Sequence, residues 1–551
     1  MLPLSRPRLT ELLGSFLLGG GLVALAYELA GLSAGASAPA PAPDAESASV
    51  QAGRDDDAAS ASGSVYADAD EGEEEGLAGD AAEGASAPGE LAASGPAWMR
   101  RTAEGSYSAF PPVYAPELEL SAEDEAAFPQ HALITGAAAI IRETTDLESK
   151  IVGVVRAGTR LRVDSELSFG GGCSKGWHQV HPYGWICMNA GLRVGEAPPD
   201  DGLVNSPPPK LDEPMPYEYW RVNHDATPFF HRLPSFAEQD RADEAGQAWI
   251  AEHGREPMPT HPAARPEEVP AVVKEYLNAG YYVTVAGEAV KSQRYFLRTL
   301  RGVYARKYQL GQKEGSDFQG MLLPSGADDL PVYWILRETG MMQRKEPGSE
   351  VLVDAVFEGD EAPPSRRGLW PFRRKVLIGA HEYYEDDDGR VMRVYAVGKS
   401  RTLKRPPGVG ADETWVHVDL SDQVLVAYEG DRPVFTTLVS TGREPGMTPI
   451  GVHRLQSKHI ATSMRDQPIE DDAYSIEDVP WTQYFHNNVA LHGAFWHGGF
   501  GLVRSHGCVN LSPADARWLF GFLHPRLPAG WHAMTPGVAK NGEGSAVVIT
   551  E

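Results

Sequence analysis

Over most of the chain beyond residue 130, apolar and polar positions alternate in short runs broken by Gly, Pro, Asn and Asp, the period of strands rather than of helices. Near the carboxyl end, runs at 415–420 and 424–428 and a third ending at Ser440 are separated by Ser421-Asp422-Gln423 and Glu429-Gly430-Asp431, which predicts an antiparallel meander. Apolar pieces at 452–455 and 489–491 extend it to a β-sandwich or open barrel spanning 414–537. The period changes once more: Ser512 is a good N-cap, Pro513 suits the first helical position, and Asp515 favours the helix dipole. An amphipathic helix carrying Trp518, Leu519 and Phe522 follows over 514–523. Residues 474–485, with Trp481 and Tyr484, read as a loop whose aromatics pack in the core or at a rim.

Upstream, short strands at 139–142, 158–163, 177–180 and 184–187 between Gly-rich turns predict a small β-barrel over 131–195. A second, divergent barrel is expected over 217–312, with strands at 227–232, 279–285, 295–299 and 302–305 and a helical insert at 236–253; the alternative is an unrelated β-rich domain. Residues 330–404 are β-rich, with runs at 375–379 and 390–395 and a hairpin turn at Asp386-Asp387-Asp388-Gly389. Those aspartates lack the spacing of a calcium loop and read as a solvated turn. This region's expected role is to pack against or cover the domain that follows. The fold class is therefore mainly β, a carboxyl-terminal sandwich or open barrel preceded by small β-barrel domains.

Composition adds the amino-terminal segment. Arg6 and Arg8 precede an apolar run at 12–26, then small residues at Ala34, Ala36 and Ala38, the pattern of an export signal over 1–38. Cleavage is the expectation and an uncleaved membrane anchor the alternative. Residues 39–97 are rich in Ala, Ser, Pro, Gly and acid, including Asp55-Asp56-Asp57 and Glu73-Glu74-Glu75, and bury too little apolar surface to offset chain entropy, so a disordered tether is expected. The formal charge of -27 over 551 residues argues against nucleic acid as a partner.

The candidate chemistry lies at Leu491-His492-Gly493-Ala494-Phe495-Trp496 and Arg504-Ser505-His506-Gly507-Cys508-Val509-Asn510-Leu511. A thiol is only a few per cent ionised near neutral pH, so a nucleophilic cysteine needs an imidazole to take its proton. His492 and His506 are both candidates. Gly507 adds no side chain against an incoming carbonyl, and the amides at Gly507 and Cys508 could form an oxyanion hole. A lone cysteine is more often a small buried hydrophobe, but the two histidines and the downstream cap weigh against that. A metal site using His492, His497, His506 and Cys508 lacks the paired spacing of zinc ligands, and no cofactor is expected. In an oxidising compartment Cys173 and Cys187 could bridge, leaving Cys508 as the odd thiol of three; two reduced, buried cysteines are the other reading.

His492, a spacer, and then Ser505-His506-Gly507-Cys508-Val509-Asn510 resemble the signature of the L,D-transpeptidase family, whose pattern is an upstream His, a spacer and Ser/Thr-His-Gly-Cys-x-Asn. Val439-Ser440-Thr441-Gly442 and Thr448-Pro449-Ile450-Gly451 are similar to the family's strand end and Thr-Pro-x-Gly turn. The likeness runs from about Trp415 to Pro536, with a spacer shorter than in some members. The barrel at 131–195 resembles a bacterial Src-homology-3-type domain through Trp177-His178-Gln179-Val180 and Gly184-Trp185-Ile186.

The first resemblance implies a peptidoglycan enzyme of the cell envelope, periplasmic or membrane-anchored, acting on stem peptides and passing an acyl group to an amine of another stem or of an envelope protein. It implies Cys508 as nucleophile, His492 as base and acid, and the His506-Gly507-Cys508 amides as the oxyanion hole. Ser505, His506 and Asn510 would orient the turn, while Arg504, Ser505, Asn510 and Gly493 would face substrate; for Arg504 a plain surface charge is the alternative. A hydrolase on the same scaffold, or a non-catalytic wall-binding protein, would carry the same motifs. Nothing in the sequence sets the oligomeric state.

Overall fold

The computed structural model describes residues 97–551 apart from 101–106, 117–119, 201, 203–205, 338–341, 350, 358–361, 466–474 and 539–541. The expected export segment at 1–38 and all of the tether at 39–97 except Ala97 lie outside the described residues. The described residues are mainly β, 12% helical and 40% strand.

The carboxyl-terminal domain consists of β1 (Thr414–Asp419), β2 (Val424–Glu429), β3 (Arg432–Leu438), β4 (Gly451–Arg454), β5 (Ser457–Arg465), β6 (Ser475–His486), β7 (Val489–Gly493), β8 (Val509–Leu511), α1 (Pro513–Phe522), β9 (Ala533–Met534) and β10 (Ala546–Thr550). One sheet runs Met321–Leu322, β3, β2, β1, β10, β4, antiparallel except where β1 pairs in parallel with β10. The other runs β9, β5, β6, β7, β8, and its last pair, β7 with β8, is parallel. Alternation places Val416, Val418, Leu425 and Phe435 of the first sheet in one core with Ile460, Trp481, Leu491 and Leu511 of the second.

The helix α1 starts as expected: Ser512 Oγ accepts from Asp515 N–H, and Pro513 opens the first turn. It is not amphipathic, however, because all of its residues are buried. Trp98, Tyr107, Phe110 and Pro111 cover the side that would have met water. Two charged residues are therefore hydrogen-bonded internally. Asp515 accepts from Tyr107 Oη at 2.9 Å, Thr437 Oγ1 at 2.5 Å and Gly320 N–H at 2.9 Å. Arg517 donates to Leu211 O at 2.6 Å and Pro111 O at 2.8 Å.

Residues 474–485, expected as a loop, mostly form the long strand β6, and Trp481 is fully buried. The misreading has a physical cause in Glu477 and Asp478, which interrupt the apolar pattern yet are buried against partners from other units. Asp478 pairs with Arg156 and accepts from Thr284 Oγ1 at 2.5 Å, and Arg301 lies 2.8 Å from Glu477. The strand Ile151–Arg156 in the 131–195 unit also continues the second sheet, with Gly153 opposite Met534 on β9. A Cβ at Gly153 would lie 2.2 Å from the Trp531 ring, so this close approach requires glycine. Cys173 and Cys187 form a disulfide in this unit.

In the 217–312 unit the helix Phe236–His253 carries a capping box between Ser235 and Glu238. Its strand Tyr282–Lys291 meets β6 at Tyr282 and Ile476. Region 330–404 splits: Val332–Ile335 pairs with Val397–Ser400, while strands Gln343–Lys345, Leu352–Asp354, Arg374–Ile378, His381–Glu385 and Arg390–Arg393 make a separate sheet. The hairpin at 386–389 is present, but Asp386 is buried rather than solvated. It accepts from Arg390 Nε at 2.8 Å and Trp370 Nε1 at 3.0 Å, fixing the turn from inside.

Candidate active site

The site forms where the end of β3 meets the segment leading into β8. Ser440 and Asn510 exchange backbone hydrogen bonds at 2.9 and 2.8 Å, and Arg504 and Ser505 both donate to Thr441 O at 3.0 Å. Thr448 completes the seam: its hydroxyl accepts from Gly442 N–H at 2.9 Å and donates to Gly507 O at 2.7 Å. That bond explains why a Ser-Thr-Gly strand end and a Thr-Pro turn accompany the cysteine motif. Gly507 has φ of 133°, and a Cβ there would lie 2.7 Å from Met447 O, so any side chain would open the turn.

Within the turn, Ser505 Oγ donates to Cys508 O at 2.5 Å and accepts from Gly507 N–H at 3.0 Å. Cys508 is half-buried, and its Sγ lies 3.6 Å from Asn488 O in the β6–β7 turn. On the parallel pair, His492 is in register with Asn510. Residues in register share a face, so His492 and Asn510 lie on the same side of the sheet. Cys508 immediately precedes β8, two residues before the Asn510 that His492 faces in register.

His492 is 2% exposed and lies beneath Trp496, their ring centroids 5.6 Å apart at 27°. Its Nδ1 meets Gly493 O at 3.3 Å, which assigns the proton to Nδ1 and leaves the Nε2 lone pair as acceptor. Burial lowers its pKa to about 4, only partly opposed by the bond to Gly493, so the ring is neutral at pH 7. His497 is lowered further, to about 3, by burial and then by the charges of Arg504 and neighbouring groups. It accepts from Gly499 N–H at 3.2 Å through Nδ1 and meets the Asn510 side-chain amide at 3.0 Å through Nε2.

Several expectations change. The Gly507 amide is committed to Ser505 Oγ, so in this conformation it is not offered to an incoming carbonyl. Gly493 is buried, with Pro480, Pro513 and Ala516 crowding the space where a Cβ would stand. Ser505 and Asn510 are likewise buried and hydrogen-bonded within the turn and to His497. Arg504 lies along Gly499, where a Cβ would come within 2.5 Å of its Nη1. His506 is exposed, and its Nε2 meets the guanidinium of Arg443.

Three further residues stand at the site: His497, weighed from the sequence only as a metal ligand, Trp496, quoted in the candidate stretch without a role, and Arg443, which the sequence did not single out. The 217–312 unit also reaches the edge of this site: the Tyr219 ring is 4.2 Å from that of Phe495, and Tyr282 is 6.5 Å from Trp496. An aromatic cluster beside a histidine was the available signal for Trp496; none existed for Tyr219 or Tyr282, which arrive from another unit.

Residues 413–549 match the family model described as YkuD: L,D-transpeptidase catalytic domain, and that is the class of the carboxyl-terminal domain. The chain is similar to L,D-transpeptidase 2 of Mycobacterium tuberculosis (strain CDC 1551 / Oshkosh), 29% identical over 128 residues, which is 20% of this chain and 31% of the relative. It thus spans about a third of the length of that curated relative. Among solved structures, an L,D-transpeptidase (Yku) from Stackebrandtia nassauensis is 25% identical, over 26% of this chain and 58% of that one, with a TM-score of 0.19. An L,D-transpeptidase from Mycobacterium smegmatis is 15% identical, over 47% of this chain and 91% of that one, with a TM-score of 0.21.

Proposed function

We propose that the chain is a peptidoglycan L,D-transpeptidase that carries the acyl group of a stem peptide on Cys508, in cell-wall cross-linking or in attaching an envelope protein. The observation that supports this reading is the register of His492 with Asn510 on the β7–β8 pair, two residues beyond Cys508, with the His492 Nε2 lone pair uncommitted to Gly493. His492 takes the thiol proton, and the sulfur attacks the carbonyl carbon of the third residue of a stem tetrapeptide. The bond to the terminal D-alanine breaks, and that amine leaves with the proton from His492. An acceptor amine then attacks the thioester, forms the new amide and returns the proton to sulfur through the same imidazole. With Gly507 N–H engaged, the Cys508 amide is the assigned donor to the oxyanion. The chemistry needs no metal or cofactor.

We place this activity in the cell envelope, outside the cytoplasm. The Cys173–Cys187 disulfide and the export pattern at 1–38 support that reading. The test is to incubate the full chain with disaccharide tetrapeptide and identify products by mass spectrometry. Cross-linked dimer together with released D-alanine is expected. Cys508→Ser should give neither, and turnover retained in that variant would reject the mechanism.

A further inference from the structure

Region 330–404 and the segment before it close on the loop between β7 and β8. Arg367 Nη1 donates to Gly498 O at 3.2 Å and to Ser316 Oγ at 2.9 Å, and its guanidinium lies 5.6 Å from the Phe318 ring. Its backbone has φ of 65°, a left-handed conformation costing a non-glycine residue on the order of 1 kcal/mol, held in place by Arg367 N–H donating to Ile335 O at 2.6 Å. Phe318 stacks on Phe500 with centroids 6.0 Å apart, and Phe500 in turn packs on His497 at 5.2 Å. Leu336 covers Gly501, where a Cβ would come within 2.6 Å of it. The loop is gripped at 498, 500 and 501 from outside the catalytic domain.

What the grip orients is the His497–Asn510 contact. His497 Nδ1 accepts from Gly499 N–H, so in the neutral ring Nε2 carries the proton and donates. The atom placed 3.0 Å from Nε2 is Asn510 Nδ2, and since two donors cannot share that contact the amide is assigned with its half-turn reversed, so that Oδ1 accepts; amide oxygen and nitrogen are not distinguished by coordinates alone. Its N–H2 group is then turned away from His497, and Asn510 shares a sheet face with His492, two residues beyond Cys508.

We propose that Arg367 is a positioning residue for Cys508 chemistry: by anchoring Gly498 it holds His497, and through His497 it keeps the Asn510 amide nitrogen as a donor toward the His492 face. This rests on the transpeptidase reading. Cations facing His497 are Arg504 and Lys313, with His492 beside it. Arg367 is not among the groups that shift either ring, so its removal acts on them only by loosening the loop.

The test uses the full chain with Arg367→Ala and Arg367→Lys. Three quantities are read: kcat and KM for cross-linking, the pH profile of Cys508 alkylation by iodoacetamide, and the thermal unfolding midpoint. Arg367→Ala should lower kcat by about tenfold or more with KM nearly unchanged, since small misplacements of reacting groups cost rate rather than binding. The acid limb of alkylation should move up as water reaches His492. Arg367→Lys, which keeps one donor for Gly498 O, should recover most of the rate. An unchanged rate and acid limb in Arg367→Ala would overturn the proposal, as would losses in both variants that merely track a lowered midpoint. If Arg367→Ala does not fold, Arg367→Gln is read in the same way. Alkylation requires no peptide, so it separates failure of this proposal from failure of the transpeptidase reading, which product analysis decides.

Discussion

The two walls beside Cys508 are built from opposite materials. On the inner wall His492 sits on β7 under Trp496, out of water, with Nδ1 tied to Gly493 O. On the outer wall His506, only two residues from the cysteine, stands in solvent with Nε2 against Arg443. Adjacency in sequence is therefore not adjacency in chemistry: the nearer histidine has its lone pair occupied by a guanidinium, while the more distant one arrives by strand register with its lone pair available. The sharpest way to break this contrast is to remove each ring in turn. His492→Ala should lower kcat/KM for D-alanine release by about a thousandfold, and His506→Ala by about tenfold or less. Equal losses would erase the distinction between the walls.

The inner wall depends on β6, which pairs with β7 and is itself held by buried charge. Asp478 pairs with Arg156 and Thr284, and its own carbonyl accepts from Tyr219 Oη at 2.7 Å, so one residue fastens three units behind His492. Removing one partner of a buried pair leaves the other charge without compensation. Asp478→Asn should cost about 3 kcal/mol in denaturant unfolding. On the outer wall Arg443 is exposed, and Arg443→Ala should leave stability within about 0.5 kcal/mol of wild type.

Much of this frame was legible beforehand, and the exceptions share a cause. The strands of the β1–β3 meander, the cap of α1 and the helix Phe236–His253 follow from local periodicity and capping, which act within a few residues. β6 and the buried outer face of α1 did not follow, because Glu477, Asp478, Asp515 and Arg517 look solvated until distant segments supply ion-pair or hydrogen-bond partners. At the site, the residue types were readable from the motif, but their orientations were not. Whether Gly507 N–H meets an oxyanion or Ser505 Oγ, and whether Gly493 faces substrate or Pro513, is decided by packing that no spacing encodes.

Titration sharpens the contrast from another direction. His417, His459 and His492 are each lowered to about 4 and His497 to about 3, in every case chiefly by burial. Between those values and the ordinary histidine range near 6.5, the unfolded chain binds more protons than the folded one. Stability is thus fully present above about 6.5 and drains as pH falls toward 4. Asp515, raised to about 6 by burial, has the opposite sign, gaining stability as pH falls from about 6 to below 4, and burial also raises Glu477, Asp422 and Asp243, but among the described residues the histidines lowered by burial, which further include His453, His524 and His532, outnumber them. The unfolding midpoint should fall by about 5 °C or more between pH 7 and pH 4. An unchanged midpoint over that window would mean that the inner rings are already hydrated.

The smallest effect concerns Arg504, where the sequence suggested either a substrate carboxylate contact or a surface charge. Its side chain lies along Gly499, and its charge is one of the influences that lower His497. In Arg504→Ala that influence disappears, so the His497 pKa should rise, yet burial alone keeps the ring neutral at pH 7 and the Asn510 contact intact. On this account kcat and KM at pH 7 both stay within about threefold of wild type, and the change surfaces only below about pH 5, where His497 gains a proton earlier than before. A carboxylate contact predicts something different: KM rising about tenfold or more at pH 7, with no shift of the acid limb, because a lost charge-assisted bond costs about 1.5–3 kcal/mol of binding. Steady-state kinetics at pH 7 and pH 5 on the same variant therefore decides whether Arg504 belongs to the loop behind Asn510 or to the mouth of the cleft.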